Sequence, residues 1–147
     1  MDTDALTVSW QVLRAAAQLV EGIQNHLLSK GFDDVRPVHG YAFARISAGG
    51  ATVIDVAEHL GVTKQAASQL VDQLVQRGYV TREPHPDDAR ARLLTLTARG
   101  RACTRAAERA ATGVVAGWRE EMGAKDFAVL QRALGAVVSP GPVRPAW

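Results

Sequence analysis

Four polar side chains, Lys64, Gln65, Ser68 and Gln69, fall within "GVTKQAASQLVDQLVQRG" at spacings that a helix gathers near its start, opposite apolar Val62, Ala67, Val71 and Leu74. Their chemistry suits base edges: glutamine pairs bidentately with adenine, serine bonds to donor or acceptor, and lysine reaches guanine or phosphate. Ala66 can touch a thymine methyl group. Thr63, just before the helix, adds a hydroxyl to the unpaired N–H groups that a helix start offers to phosphate.

A second constellation follows in "REPHPDDARARLL", Arg82 to Leu94, where two prolines, three acids and three arginines separate two runs of strand-forming residues. Pro84 and Pro86 stiffen the turn and limit the entropy lost on docking. Arg90, on a narrow projecting loop, suits a minor groove, where negative potential concentrates. Asp88, two residues earlier, is expected to hold the Arg90 guanidinium by a charge-assisted bond. Arg92 is expected on phosphate, and Arg82 at the base of the hairpin.

These residues need a scaffold, and the apolar spacing describes one. Val12, Ala16, Leu19, Val20, Ile23 and Leu27 mark one face of a long first helix running to about Lys30. Pro37 opens a second helix carrying His39, Tyr41, Phe43 and Ile46. Thr52 caps a short third helix through Leu60, and Gly61 ends it; Thr63 caps a fourth to about Arg77. The third and fourth, with Val56, Ala57 and Leu60 also inward, make a helix-turn-helix. A helical hairpin with a solvated polar face has the same pattern.

The period then changes. "YVTRE" and "ARLLTLT" read as antiparallel strands, so the helix-turn-helix is followed by a hairpin, the order of a winged helix. Thr97 caps a fifth helix with Ala102, Ala106, Ala110, Val114 and Trp118 on one stripe. A sixth follows Asp126 with Phe127, Leu130, Leu134 and Val138, and "SPGPVRPAW" ends the chain irregularly. The fold class is mainly α with a small β-hairpin wing, in one domain over 1–147. Residues 36–100 form the winged helix-turn-helix, and 5–30 with 98–139 form flanking helices whose apolar surface predicts a homodimer.

Charge agrees with an anionic partner. Residues 63–109 hold nine lysines and arginines against five acids, while the remainder is slightly negative, within a net charge of +2. Catalytic motifs are not legible: no Gly-rich phosphate loop, no nucleophile elbow, and no two of His26, His39, His59 and His85 at metal-ligand spacing. No catalytic residue, metal or cofactor is expected. The single Cys103 cannot form an internal disulfide, and no window approaches 18 consecutive apolar residues, so a soluble cytoplasmic protein is expected. Two other readings remain: a winged helix that binds protein, and a redox-sensing regulator using Cys103, against which stands its place on or beside the alanine stripe.

With these motifs in place the chain resembles the MarR (multiple antibiotic resistance regulator) family of bacterial transcription factors. "GVTKQAASQLVDQLVQRGYVTR" is similar to the family's recognition helix and first wing strand. "PDDARARLLTLTARG" is similar to its wing signature, met at Asp88, Arg90, Leu94, Leu96, Thr97 and Gly100, with Ala89 where members often carry a second arginine. The resemblance implies a homodimer with interlocked terminal helices on a pseudo-palindromic duplex, usually a repressor. It also implies release by a small, often phenolic effector in a cleft between dimerisation helices and winged domain. Trp10, His39, Tyr41, Phe43 and Trp118 are the candidates to line that cleft, and they serve equally as ordinary core or dimer-interface residues.

Overall fold

The computed structural model describes residues 2–144; Met1 and residues 145–147, the end of the tail expected to be irregular, lie outside the described residues. Six helices and one hairpin follow in the order α1 (Thr3–Ser29), α2 (Pro37–Ser47), α3 (Val53–Leu60), α4 (Lys64–Gln76), β1 (Val80–Pro84), β2 (Arg92–Leu96), α5 (Ala98–Met122) and α6 (Ala124–Val137). The sixth helix begins two residues before Asp126, because Gly123 breaks α5 with a positive φ and Asp126 sits in the first turn; Val138 lies just past its end.

Local capping chemistry fixes the central elements. The Thr52 hydroxyl accepts from the Asp55 N–H while the Asp55 carboxylate accepts from the Thr52 N–H, a reciprocal pair that starts α3. Gly61 ends it at φ 68°, a left-handed conformation that a β-carbon would strain, and the chain turns at once into α4. Val56, Ala57 and Leu60 of α3 meet Ala67, Val71 and Leu74 of α4, all buried. Val62 does not join them: it sits in the turn and is 39% exposed.

The strands pair antiparallel from Val80–Leu96 to Pro84–Arg92, and Ala51 adds a one-residue bridge to Leu94. Tyr79, expected in the first strand, precedes it and is fully buried, tilted against Phe32 and Phe43. Its hydroxyl donates to the Asp34 carboxylate and accepts from Arg99, whose guanidinium lies 4.6 Å from the ring centre. Arg77 donates to the Asp34 carbonyl at 2.7 Å, so one polar knot joins the α1–α2 loop, the end of α4 and the start of α5.

The start of α5 explains a motif. Leu96 is buried, the Thr97 hydroxyl accepts from the Gly100 N–H and donates to the Gly78 carbonyl, and the Thr97 N–H donates to the Tyr79 carbonyl. Gly100 passes so close that a β-carbon there would lie 2.2 Å from that Tyr79 oxygen. Leu-Thr-x-x-Gly is thus a strand end, a helix cap and a contact only glycine allows.

The long helices divide in use. The second half of α1 packs on α5, with Gly22 against Val114 and Leu27 in the core. The first half leaves Leu6, Val8, Trp10, Val12 and Leu13 exposed, and Val129, Leu134, Val137 and Val138 at the other end are exposed too.

Candidate nucleic-acid interface

At the start of α4 the Thr63 hydroxyl accepts from the Ala66 N–H at 3.1 Å, and the Thr63 carbonyl takes the Ala67 N–H. The N–H groups of Lys64 and Gln65 have no partner within the helix by geometry, and they stand at its positive end. Thr63, Lys64, Gln65, Ala66 and Gln69 are exposed and Ser68 is half-buried, so these six share one accessible surface while Ala67 turns into the core.

The hairpin projects beside that surface and is fixed to it by an ion pair between Arg82 of β1 and Asp72 of α4. Arg82 therefore makes a surface contact between wing and helix. This link was not foreseen, although opposite charges on an exposed helix face and an adjoining strand were the available signal.

Asp88 works differently from the expected guanidinium clamp. Its carboxylate accepts from the Arg90 backbone N–H at 2.9 Å, and its carbonyl accepts from Ala91 N–H at 3.1 Å, so it shapes the wing tip through the main chain. An aspartate two residues before the amide it bonds makes a local turn more readily than it reaches a flexible arginine end. His85 Nδ1 likewise accepts from the Asp87 N–H. The Arg90 side chain is exposed and has no acceptor among the described residues. Arg92 crosses back instead, donating to the carbonyls of Glu83 at 3.3 Å and Arg82 at 3.0 Å. In this state it splints the hairpin.

A cleft of about 370 Å³ opens between α1, α2 and α5. Val20, Ile23, Leu27, Phe43, Tyr41 and Ala107 give it an apolar wall, and Arg36 and Glu108 stand among its lining residues. Of the five candidates, Tyr41 and Phe43 line it; Trp10, His39 and Trp118 do not. Trp10 lies on the exposed half of α1, ten residues before the stretch that forms the wall, or about 15 Å along a helix. Trp118 lies seven residues past Ala111, about 10 Å along α5.

His39 faces the interior and is fully buried. Its Nδ1 accepts from the Arg36 N–H at 2.9 Å, closing the first turn of α2. Burial, with the cations of Arg36 and Arg77 nearby, lowers its pKa to about 4. The imidazole is thus neutral near pH 7, with its proton on Nε2. That donor and Gln73 Oε1 on α4 are buried without hydrogen-bond partners, each at a typical cost of about 1–3 kcal/mol.

Cys103 is buried on the cleft wall, and burial pushes its thiol up to about 11. It is protonated at neutral pH, which opposes a thiolate sensor. Among the described residues no cluster of histidine, cysteine and acidic side chains could hold a metal ion, and no helix is long and apolar enough to cross a membrane.

Comparison with known proteins points in one direction. Residues 34–91 match a family model described as the MarR family. RV1404 from Mycobacterium tuberculosis is 27% identical over 92% of both chains, with a TM-score of 0.76. FabT from Streptococcus pneumoniae, solved in complex with DNA, is 22% identical over 92% of this chain and 94% of its own, TM-score 0.76. A mutant of MarR from E. coli, complexed with operator DNA, is 20% identical over 95% of this chain and 99% of its own, TM-score 0.70. No curated protein matches.

Proposed function

We propose that this chain, a winged helix-turn-helix protein of the MarR type, is a sequence-specific double-stranded-DNA-binding regulator of transcription. Its finer reading is a homodimeric repressor on a pseudo-palindromic operator, released by a small effector. The carrying observation is the exposed polar start of α4 beside a wing whose Arg90 is unengaged, the two touching through the Asp72–Arg82 pair. Lys64, Gln65, Ala66, Ser68 and Gln69 then read a major groove, Thr63 and the helix N-terminus meet phosphate, and Arg90 enters the adjacent minor groove. Arg92 serves as hairpin splint, and reaches phosphate only by giving up its carbonyls.

The test is binding to duplexes selected from a random pool, followed by a salt titration. Raising salt from about 50 to about 200 mM should cost the complex on the order of 10³-fold, the response to about six phosphate contacts. Affinity indifferent to salt would favour a protein-binding winged helix. Arg90→Ala should weaken the selected duplex by about 10- to 100-fold with the melting temperature unchanged, since its side chain holds nothing in the fold. A monomeric or unfolded variant would make Arg90 structural. Gln69→Ala should change base preference at one symmetric position by about 1–3 kcal/mol; equal losses on all sequences would make it a backbone contact.

The dimer reading rests on the uncovered apolar ends. Exposed Leu6, Trp10 and Leu13 of α1 have a counterpart in an apolar groove of about 390 Å³ lined by Leu19, Val115, Ala116, Arg119 and Phe127. Replacing Trp10 and Leu13 together by aspartate should give a folded monomer in sedimentation; an unchanged dimer would place the contact elsewhere. The effector reading rests on the apolar cleft, sized for one small molecule, with Tyr41 and Phe43 as its aromatic contacts.

A further inference from the structure

The short helix α3 is finished by a side chain from the far end of the chain. Of the carbonyls that α3 leaves open at its C-terminus, those of Ala57 and Glu58 accept from the Val62 and Gly61 N–H groups, as the left-handed turn at Gly61 requires. The His59 carbonyl accepts from Arg144 Nε at 3.0 Å, and the Glu58 carbonyl accepts in addition from Arg144 Nη2 at 2.8 Å. The guanidinium lies against the turn itself: a β-carbon at Gly61 would stand 3.4 Å from Arg144 Cδ, Nε and Cζ. These partners are 85 and 86 positions from Arg144 in the sequence, so the contact belongs to the tertiary fold and not to a local turn.

The charge arrives where its sign matters. Gly61 is two residues before Thr63, which opens α4 and is the phosphate anchor of the proposed complex. Two residues span at most about 7 Å, so a guanidinium touching Gly61 stands on the order of one Debye length, about 10 Å at 0.1 M salt, from that anchor. A helix C-terminus carries roughly half a negative charge, and an uncovered end of α3 would oppose a phosphate approaching the start of α4. With Arg144 on those carbonyls the same spot is cationic. Only one edge of the fork is engaged: Arg144 is exposed, and its Nη1 has no acceptor among the described residues. Pro140 and Pro142 restrict the segment that leads from α6 to Arg144, so holding the arginine in place costs less chain entropy.

We propose that Arg144 is a further DNA-binding residue: the tail brings its guanidinium onto the helix-turn-helix, where it closes the end of α3 and adds a cation for the phosphate that the start of α4 anchors. The contact is to the backbone of the duplex, so it adds affinity without reading sequence. The inference rests on the DNA-binding reading above, and extends the interface to a residue outside both the recognition helix and the wing.

The experiment compares the full chain with Arg144→Gln, which removes the charge but keeps a donor for the carbonyls, and with Arg144→Lys, which keeps the charge without the fork. Affinity for the selected duplex across a salt series, base preference and the melting temperature of the free protein are measured for each. Arg144→Gln should weaken the complex about 3- to 8-fold per protomer at about 0.1 M salt, alike on all sequences, and flatten the slope of log affinity against log salt by about 0.9 per protomer. Arg144→Lys should keep the wild-type slope. Both free proteins should melt within about 4 °C of wild type, since an exposed helix-end contact is all that changes. A wild-type slope in Arg144→Gln would make the contact a helix cap alone, and tighter binding would make the tail an obstacle that DNA displaces. Equal losses in both variants that track a lowered melting temperature would make Arg144 structural. Any of these three results overturns the proposal. A wild-type protein that retains no duplex fails the DNA-binding reading itself, which its own titration reveals before any variant is compared.

Discussion

Replacing Gly100 by alanine should destabilise the fold by roughly 2–4 kcal/mol, although the change adds a better helix former to α5. The added carbon would lie 2.2 Å from the Tyr79 carbonyl and 3.3 Å from Leu96 Cβ. The carbonyl cannot retreat alone, because it accepts the Thr97 N–H at 3.0 Å. Moving it also moves Tyr79, whose ring and hydroxyl hold Phe32, Phe43, Asp34 and Arg99. The matched control is Gly40→Ala in α2, where nothing lies within 4 Å and the helix should gain up to about 1 kcal/mol. Urea unfolding of both variants decides the matter: a Gly100→Ala protein as stable as wild type would mean that α5 can start elsewhere. Because the same clash separates α5 from the base of the wing, duplex affinity should fall with stability in Gly100→Ala and be untouched in Gly40→Ala.

That glycine also shows what a sequence can and cannot display. Leu96, Thr97 and Gly100 were legible as a pattern, and caps at Thr52, Thr63 and Thr97 placed α3, α4 and α5 to within a residue or two. Caps are local chemistry, decided by three or four neighbouring residues. The reason for Gly100 is a backbone oxygen 21 positions away, which no local window contains. The cleft lining of a single chain was legible only in part, for a related reason. His39 and Tyr41 are two residues apart on one helix, about 200° around it, so spacing alone does not give them one wall, although the cleft is broad enough to take in both Tyr41 and Phe43. Tyr41 faces the cleft and His39 the core. Periodicity also marks the apolar face of 27-residue α1 without saying which stretch crosses α5; packing assigned Val20 to Leu27 and left Trp10 outside. Asp88 shows the same limit at the wing, where the Arg90 main-chain N–H takes the carboxylate that spacing alone gave to the guanidinium; Arg92, expected on phosphate, donates in the protein alone to the carbonyls of Glu83 and Arg82.

The buried imidazole should make stability depend on pH in a window free of the carboxylates. His39 has a pKa of about 4 in the fold against an ordinary 6.5, so between these values the unfolded chain binds a proton that the folded one refuses. The contribution is complete above pH 6.5 and is lost as pH falls towards 4, by about 3 kcal/mol in total. Protonation would also put a hydrogen on Nδ1, where the Arg36 N–H now donates, so the charged form opens the first turn of α2. Asp34 and Asp55 have pKa values below their ordinary 3.8, and their contributions are present above that value and lost only at lower pH. Urea unfolding at pH 7 and 4.5 therefore isolates His39. His39→Asn, whose oxygen can take the Arg36 N–H but does not titrate, should be less stable than wild type at pH 7 and nearly flat across the window. A variant that keeps the full wild-type slope would assign the proton uptake to another histidine.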